Sequence, residues 1–479
     1  MPYIYPEMKN LRKKTLIIIR FSGLLLISLV FLNCNTGTKK IELEGIWQGA
    51  LEYPGGIKLR VIFNISKLPN CKLKAVVLRP DLDDDEIPVK KISFKKNHLH
   101  MILNSVPIYF EGNLDPYNNS IDGHWIQGKQ TFPLVLHKIN KITKPQRPQE
   151  PKRPFPYREK DVVFENLEAP ARLSGTLTLP QKRGLYPAVL LISGGGSQNR
   201  DSLILGHRPF LVIADHLTRN GIAVLRFDDR GVGSSTGDRS IATTKDYAQD
   251  AYAGVKFLKN QKEIDSRHIG LIGHSEGSSI ASLVAAKVKD IAFVILLAGP
   301  GLPGEEYNYQ YTKSVSRILG HSEDTISAQL ILQKQIFKIL LHEKDSKKAE
   351  SKLYQILKGL KPPMPQEKIE SNLKRYLSPW FRFSINYDPG KTLTRVKCPV
   401  LALYGEKDIQ VPPAGNAEAV KQALQKGGNE KYEVKVLPGL NHLFQTAESG
   451  APSEYSMIKE TISPNVLELM TIWIIQHTT

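Results

Sequence analysis

The sequence of 479 residues predicts an α/β fold with a mostly parallel sheet, preceded by a small all-β domain. From residue 161 to 300, and again after 392, short apolar runs alternate with amphipathic stretches. This pattern is typical of a parallel sheet with helices on both faces. Residues 42–138 instead show short alternating runs broken by Gly, Pro, Asn and Asp, as in antiparallel strands.

Residues 1–34 have the pattern of an export signal. Basic residues precede an apolar run from Phe21 to Leu32, which ends at Asn33 and Cys34. This run is too short to span a bilayer, and a basic segment, an apolar segment and a cysteine are typical of a bacterial lipoprotein signal. Asn33 is unusual before a lipid-bearing cysteine, so a short membrane anchor stays an alternative. Both predict an exported, membrane-associated protein, periplasmic or at the cell surface, with Cys34 as the lipidation site.

Residues 42–138 are predicted to form an antiparallel β barrel or sandwich. The segments Gly45–Gly49 and Gly123–Gly128, each with a central tryptophan, echo each other near its two ends. This echo predicts that the first and last strands pair and close the structure. Substrate positioning, dimerisation and cell-surface binding all stay open as roles for this domain.

Residues 139–160 are predicted to be a proline-rich linker. Prolines 145, 148, 151 and 154 recur every three residues, which suits a polyproline II segment. We expect a semi-rigid spacer between two folded domains.

The pentapeptide Gly273–Gly277, Gly-His-Ser-Glu-Gly, predicts a nucleophile at Ser275. It follows an apolar run and precedes apolar residues at helical spacing. A serine with glycines two positions away on each side, where a strand turns sharply into a helix, is the pattern of a nucleophile elbow. A Cβ at either glycine would clash in that turn.

A serine nucleophile needs a base and an acid to orient it, which in such folds follow in the order Ser, Asp or Glu, His. A strand-like apolar run ends in a turn with Glu406 and Asp408. Asp408 is the predicted acid, and Glu406 is a minor alternative. Of the histidines beyond Asp408, His477 lies at the C-terminus and His442 follows a strand. His442 is therefore the predicted base.

Backbone N–H groups can bind the oxyanion that forms during acyl transfer. One donor is expected at Glu276, directly after the serine. The other is expected in the glycine run Gly194–Gly196, which follows an early apolar strand. A phosphate-binding loop is excluded there, because the run lacks the Gly-Lys-Ser/Thr ending.

With these motifs, residues 161–479 resemble an α/β-hydrolase of the secreted bacterial carboxylesterase and serine aminopeptidase-like group with an N-terminal β domain. The matching segments are Ser193–Asp201, Arg226–Gly233, Gly273–Gly277, Gly405–Val411 and Gly439–His442. The resemblance implies an oxyanion hole formed by the N–H groups of Gly195 and Glu276.

Residues 305–375 carry apolar residues at helical intervals with many lysines between them. They interrupt the alternation of strands and helices, which predicts an inserted helical cap. Since the insertion precedes the strand that carries the predicted acid, we expect it to arch over Ser275 and shape the acyl pocket. A surface excursion that covers nothing is the alternative, and Trp380 and Phe381 either line the pocket or pack beneath it.

The net charge of +18 does not indicate nucleic-acid binding. Residues 1–40 hold seven basic residues and one acidic residue, and residues 141–160 hold seven and two, so much of the excess lies outside the predicted domains. No nucleic-acid motif or interleaved aromatic and basic pattern accompanies it.

The sequence therefore predicts a serine hydrolase that cleaves a small-molecule carboxylic ester through an acyl-enzyme, with no metal and no cofactor. Two alternatives stay open: a serine peptidase with the same triad, and a non-catalytic surface-binding lipoprotein on a hydrolase scaffold. The complete set of Ser275, Asp408 and His442 speaks against the second. The natural substrate and the oligomeric state are not predicted.

If Cys34 carries lipid, the Cys34→Ser variant will lose labelling by a fatty-acid analogue and leave the detergent phase. Metabolic labelling followed by detergent partitioning measures both. Cys71→Ser is the matched control, since that cysteine lies in the predicted β domain. Equal labelling of wild type and Cys34→Ser would favour an uncleaved anchor.

Overall fold

The computed structural model describes residues 43–478 except 54–55, 84, 104–107, 116, 129 and 183. The predicted signal at residues 1–34, with Cys34, lies outside them. Among the helices of the described residues, none is both long enough and apolar enough to cross a membrane. The chain forms two compact units whose boundary in sequence falls between Lys144 and Pro145.

The first unit is a closed antiparallel barrel, with eight strands in the described residues. The strands are β1 Gly45–Tyr53, β2 Ile57–Lys67, β3 Leu73–Leu78, β4 Glu86–Lys95, β5 His98–Leu103, β6 Ile108–Asp115, β7 Ser120–Gln127 and β8 Gln130–Ile139. Large side chains fill the interior, among them Trp47, Phe63, Phe110 and Trp125. The predicted all-β domain is confirmed, and it is a barrel.

The barrel closes where β1 pairs with β8, with Trp47 opposite Lys138. The first and last strands therefore pair, as predicted. The segment around Trp125 is the last strand but one, however, so the echo between the two tryptophan segments does not mark the closing pair. What Trp47 and Trp125 share is a place in the barrel core, where each is at most 3% exposed.

The second unit is built on a sheet with strand order β16-β15-β14-β13-β11-β12-β10-β9. Its strands are β9 Tyr157–Asn166, β10 Ala171–Pro180, β11 Tyr186–Ile192, β12 Ala223–Phe227, β13 Ile264–His274, β14 Phe293–Leu297, β15 Val400–Gly405 and β16 Tyr432–Leu437. Strands β11 to β16 are parallel to one another, and β9 and β10 are added at one edge through antiparallel pairs. The predicted mostly parallel sheet is confirmed.

Helices cover both faces of this sheet, and others form an insertion. In chain order the helices are α1 Pro209–Arg219, α2 Thr244–Lys259, α3 Glu276–Ala285, α4 Gly304–Ile318, α5 Glu323–His342, α6 Ser346–Lys358, α7 Gln366–Tyr376, α8 Pro379–Asn386, α9 Pro389–Leu393, α10 Pro413–Lys426 and α11 Pro464–Gln476. Leu190 faces a core shared with α2, α3 and α10, whereas its neighbour Leu191 faces a core shared with α1 and α11. Because successive strand residues point to opposite faces, a strand buried on both sides is apolar throughout.

Helices α4 to α8 form the insertion between β14 and β15. They enclose a core of their own, built from Ile336, Phe337, Leu340, Leu353, Leu357, Ile369, Leu373, Phe381 and Ile385. Phe381 therefore packs within the core of the insertion, and it neither lines the pocket nor packs beneath it, the two roles expected for it. The insertion extends past the predicted limit of residue 375, because α8 completes this core.

The predicted linker of residues 139–160 is too long at both ends. Strand β8 runs to Ile139 and β9 begins at Tyr157. Part of the stretch between them is bound to the second unit: the Arg147 guanidinium donates to the carbonyl oxygens of Ser456 at 2.9 Å and Ile458 at 3.0 Å. The Gln149 side chain donates to Ile462 O at 2.7 Å. The proline spacing hid these contacts, since side chains between the prolines make them.

Candidate active site

Ser275 sits in a strained turn between β13 and α3. Its φ is 56° and its ψ is −120°, a conformation that non-glycine residues rarely adopt. The turn is so tight that a Cβ on Gly273 would lie 2.1 Å from Gly277 O, and a Cβ on Gly277 would lie 2.2 Å from Ile192 O. Both glycines are therefore required for steric reasons, as the pentapeptide predicted.

Hydrogen bonds hold the strained turn in place. The Ser275 N–H donates to Leu297 O of the neighbouring strand at 2.8 Å. The buried Ser278 hydroxyl donates to Gly273 O at 2.7 Å, across the turn. These bonds offset part of the backbone strain, which typically costs about 1–3 kcal/mol for one such residue.

Asp408 and His442 are in contact at the carboxyl end of the sheet. Asp408 Oδ2 lies 2.7 Å from His442 Nδ1, and both residues are at most 4% exposed. The other carboxylate oxygen, Oδ1, accepts the N–H groups of Gln410 at 2.8 Å and Val411 at 2.9 Å. Asp408 is thus fixed by three partners and orients the His442 ring.

Glu406, the alternative acid, has a different contact. Its carboxylate accepts the Gly439 N–H at 2.8 Å at an exposed position. It therefore braces the start of the loop that carries His442 rather than touching the imidazole.

His274, which sequence reasoning did not single out, links the two halves of the site. Its Nε2 lies 2.9 Å from His442 O, and the two rings lie 4.7 Å apart between centroids. A carbonyl oxygen accepts only, so Nε2 of His274 carries the proton. Burial, with a smaller contribution from His442, lowers the pKa of His274 to about 3, so its ring is neutral at ordinary pH. Its position between Gly273 and Ser275 in the glycine-flanked motif was the only available signal.

Ser275, His442, Gly194 and Gly195 line one open cleft, with about 590 Å³ of empty space when the adjoining solvent is included. The walls are mainly apolar and come from α1 and from loops at the carboxyl ends of the strands: Gln198, Ser202, Ile204, Pro209, Phe210, Ile213, Leu297, Gln410, Leu443, Phe444 and Ile462. The Ser275 hydroxyl makes no hydrogen bond to His442 among the described contacts, and in unliganded enzymes such bonds are often long.

The predicted cap does not line this cleft. Within the described residues, no side chain of 305–375 contributes to its walls. The insertion reaches the site through α8 instead: Trp380 Nε1 donates to Glu276 Oε1 at 2.8 Å. The expectation that residues 305–375 shape the acyl pocket is therefore not met for this cleft. Helix α1 and the loops at the carboxyl ends of the strands form its walls instead.

The glycine run lies directly against the turn at Ser275. A Cβ on Gly194 would lie 3.2 Å from Ser275 Cβ, and one on Gly195 would lie 3.1 Å from Glu276 Oε2. Glu276 is the first residue of α3, where N–H groups have no partner within the helix. The two predicted oxyanion donors, Gly195 and Glu276, therefore flank the serine.

A buried polar network supports the loops of Asp408 and His442. The Gln410 side chain donates to the Tyr455 hydroxyl at 3.0 Å. Tyr455 O lies 2.8 Å from Nε2 of His207, and Gln445 Nε2 lies 3.1 Å from the same nitrogen. Burial, followed by the charge of Arg147, lowers the pKa of His207 to about 4, so it stays neutral within this network.

The chain is similar to known hydrolases. Residues 208–355 match the family model of serine aminopeptidases, S33, and residues 364–460 match that of the prolyl oligopeptidase family. Esterase EstD of Thermotoga maritima is 26% identical over 327 residues, 67% of this chain and 69% of its own length. Mitochondrial acyl-coenzyme A thioesterase 2 of Mus musculus is 22% identical over 68% of this chain and 56% of its own. A solved esterase of Pyrococcus furiosus aligns at 18% identity and a TM-score of 0.41, over 71% of this chain and 98% of its own.

Acidification is expected to destabilise the second unit through His207 and His274. Their pKa values in the folded chain, about 4 and about 3, are below the ordinary value of 6.5. Between these values the unfolded chain binds more protons than the folded chain, so the free energy of unfolding falls as the pH falls through this range.

Thermal unfolding between pH 7 and pH 4 measures this effect. His207→Gln, which keeps polar groups in the network but cannot be protonated, should show a smaller fall in melting temperature than wild type. His98→Gln, at an exposed position of the barrel, is the matched control. A slope unchanged by His207→Gln would contradict the assignment.

Proposed function

Because the chain belongs to the α/β-hydrolase superfamily, we propose that it cleaves carboxylic esters with Ser275, His442 and Asp408 through an acyl-enzyme. One observation carries the proposal. The strained Ser275 shares a cleft with a buried His442 whose Nδ1 lies 2.7 Å from Asp408 Oδ2. A nucleophile and a base on one cleft, with an acid that orients the base, are the groups that acyl transfer needs.

The first half of the reaction forms an ester with the enzyme. The Nδ1–H of His442 donates to Asp408, which leaves Nε2 free to take the Ser275 proton as the hydroxyl attacks the carbonyl carbon. The N–H groups of Gly195 and Glu276 bind the negative oxygen of the tetrahedral intermediate. His442 then gives its proton to the leaving alcohol, and the C–O bond to that alcohol breaks.

Water completes the cycle. His442 takes a proton from a water molecule, which attacks the acyl carbon of the Ser275 ester. When this second intermediate collapses, the acid is released and the proton returns to Ser275. Asp408 stabilises the imidazolium in both halves without itself being protonated.

The substrate follows from the walls of the cleft. Apolar side chains such as Phe210, Ile213 and Phe444 line it beside Ser275, and they favour a small apolar acyl group over a charged or extended polymer.

We also propose that the enzyme is exported and held at a membrane by Cys34, on the sequence pattern of residues 1–34.

Ser275→Ala and His442→Ala should each lower kcat for a short-chain p-nitrophenyl ester by about three orders of magnitude or more. Asp408→Asn should lose as much or less. Ser282→Ala is the matched control for the nucleophile, since Ser282 is a nearby serine, buried in α3, whose hydroxyl donates to Ser278 O at 2.8 Å. Glu406→Gln tests the alternative acid and should keep far more activity than Asp408→Asn.

Labelling of Ser275 by a fluorophosphonate tests its reactivity independently of substrate, and near-wild-type turnover by Ser275→Ala would refute the proposal.

A serine peptidase is the second candidate, supported by the matches to two peptidase families. Esters and amides differ in the leaving group, so a panel with matched acyl groups separates the two functions. We expect kcat/KM for short acyl esters to exceed that for aminoacyl and peptide amides. Higher efficiency on the amides would make the peptidase assignment correct.

A further inference from the structure

We propose that the Glu276 side chain is a positioning residue, which fixes the oxyanion loop against the nucleophile turn and ties both to helix α8. The inference rests on the proposed function, in which the N–H groups of Gly195 and Glu276 bind the oxyanion. It assigns a second role to Glu276, through its carboxylate.

The Glu276 carboxylate is held from two sides. Its Oε1 accepts the Thr244 hydroxyl at 2.7 Å and the Trp380 Nε1–H at 2.8 Å. Thr244 opens α2 and is itself buried, whereas Trp380 lies in α8 of the insertion. The carboxylate thus joins one helix of the sheet layer to one helix of the insertion.

The same side chain lies against the glycine run. Oε2 is 3.1 Å from the place a Cβ on Gly195 would occupy, and Trp380 Cζ2 is 3.7 Å from it. Gly195 is therefore backed by both partners of one hydrogen bond. A loop of three glycines has little conformational restraint of its own, so this backing restricts where the Gly195 N–H points.

The position of Glu276 in the chain makes the link direct. Its N–H is one proposed oxyanion donor, and its carboxylate backs the loop with the other. Restraint of both donors matters, because donors in place before the reaction stabilise the oxyanion without reorganisation. Loss of the carboxylate should therefore weaken binding of the transition state more than binding of the substrate.

The hydrogen bonds to the carboxylate explain why a polar side chain is tolerated at this half-buried position. Burial raises the pKa of Glu276, and the hydrogen bonds from Thr244 and Trp380 oppose that change. Asp229 lies in the same pocket beneath the glycine run and accepts the Ser193 hydroxyl at 2.8 Å. Burial raises the pKa of Asp229 to about 7.

Glu276→Ala should lower kcat for the ester substrate about 10- to 100-fold with KM little changed, less than the 10²- to 10³-fold lost with an oxyanion donor itself. Affinity for a trifluoromethyl ketone, whose adduct with serine carries an oxyanion, should fall by a similar factor. Glu276→Gln keeps an acceptor for Thr244 and Trp380 and should recover most of the loss. A residue that served stability alone would lower the melting temperature without this split between kcat and KM.

Trp380→Phe removes the indole N–H and keeps an aromatic ring. It should reduce kcat in the same way. The double variant with Glu276→Ala should have the same kcat as Glu276→Ala alone, since the two single variants lose the same hydrogen bond. Trp473→Phe is the matched control. Trp473 of α11 donates its Nε1–H to Glu433 of β16 at 3.1 Å, and neither residue lines the cleft. Its kcat should match wild type.

Fluorophosphonate labelling separates failure of this inference from failure of the proposed function. If wild type is not labelled at Ser275, the proposed function falls and the inference with it. If wild type is labelled but Glu276→Ala keeps its kcat, changes only KM, or adds independently to Trp380→Phe, the inference alone is overturned.

Discussion

The close approach of β13, α3 and β11 around Ser275 is the constraint on which the site depends. It leaves no room for a side chain at Gly273 or Gly277, and it forces a positive φ on the serine. The same approach brings the Gly194–Gly196 run beside the start of α3. The proposed nucleophile and the proposed oxyanion donors are therefore positioned by one packing arrangement, and a displacement of α3 would move them together.

The other half of the site is positioned by hydrogen bonds between buried polar groups. Asp408 is held by two backbone N–H groups and His442 by Asp408 on the ring and His274 at the carbonyl. Unpaired polar groups at such depth are costly. Once formed, the set therefore has few alternative arrangements, which gives His442 on its loop the fixed orientation that its proposed role as general base needs.

The sequence was sufficient where one residue type is required for a local steric or chemical reason. Gly273, Ser275 and Gly277 are such residues, and the chain order of Ser275, Asp408 and His442 followed from the succession of strands. It was insufficient where the role depends on a partner far along the chain. His274 is recognised only from the carbonyl 168 residues later, and the side chain of Glu276 only from Trp380, 104 residues later. The prediction that residues 305–375 line the acyl pocket was wrong for the same reason. Helical periodicity locates an insertion in the chain but does not show which cleft the insertion lines.

The strap of residues 145–150 matters for how the second unit can be isolated. Arg147 and Gln149 occupy carbonyl and N–H groups of residues 456–462, and β9 already begins at Tyr157. A shortened chain that starts at residue 161 would lose these partners and the first four residues of an edge strand. It would expose the end of β10 to pairing with other molecules. The smallest piece that keeps both these hydrogen bonds and the whole of β9 therefore begins at Pro145, the start of the second unit.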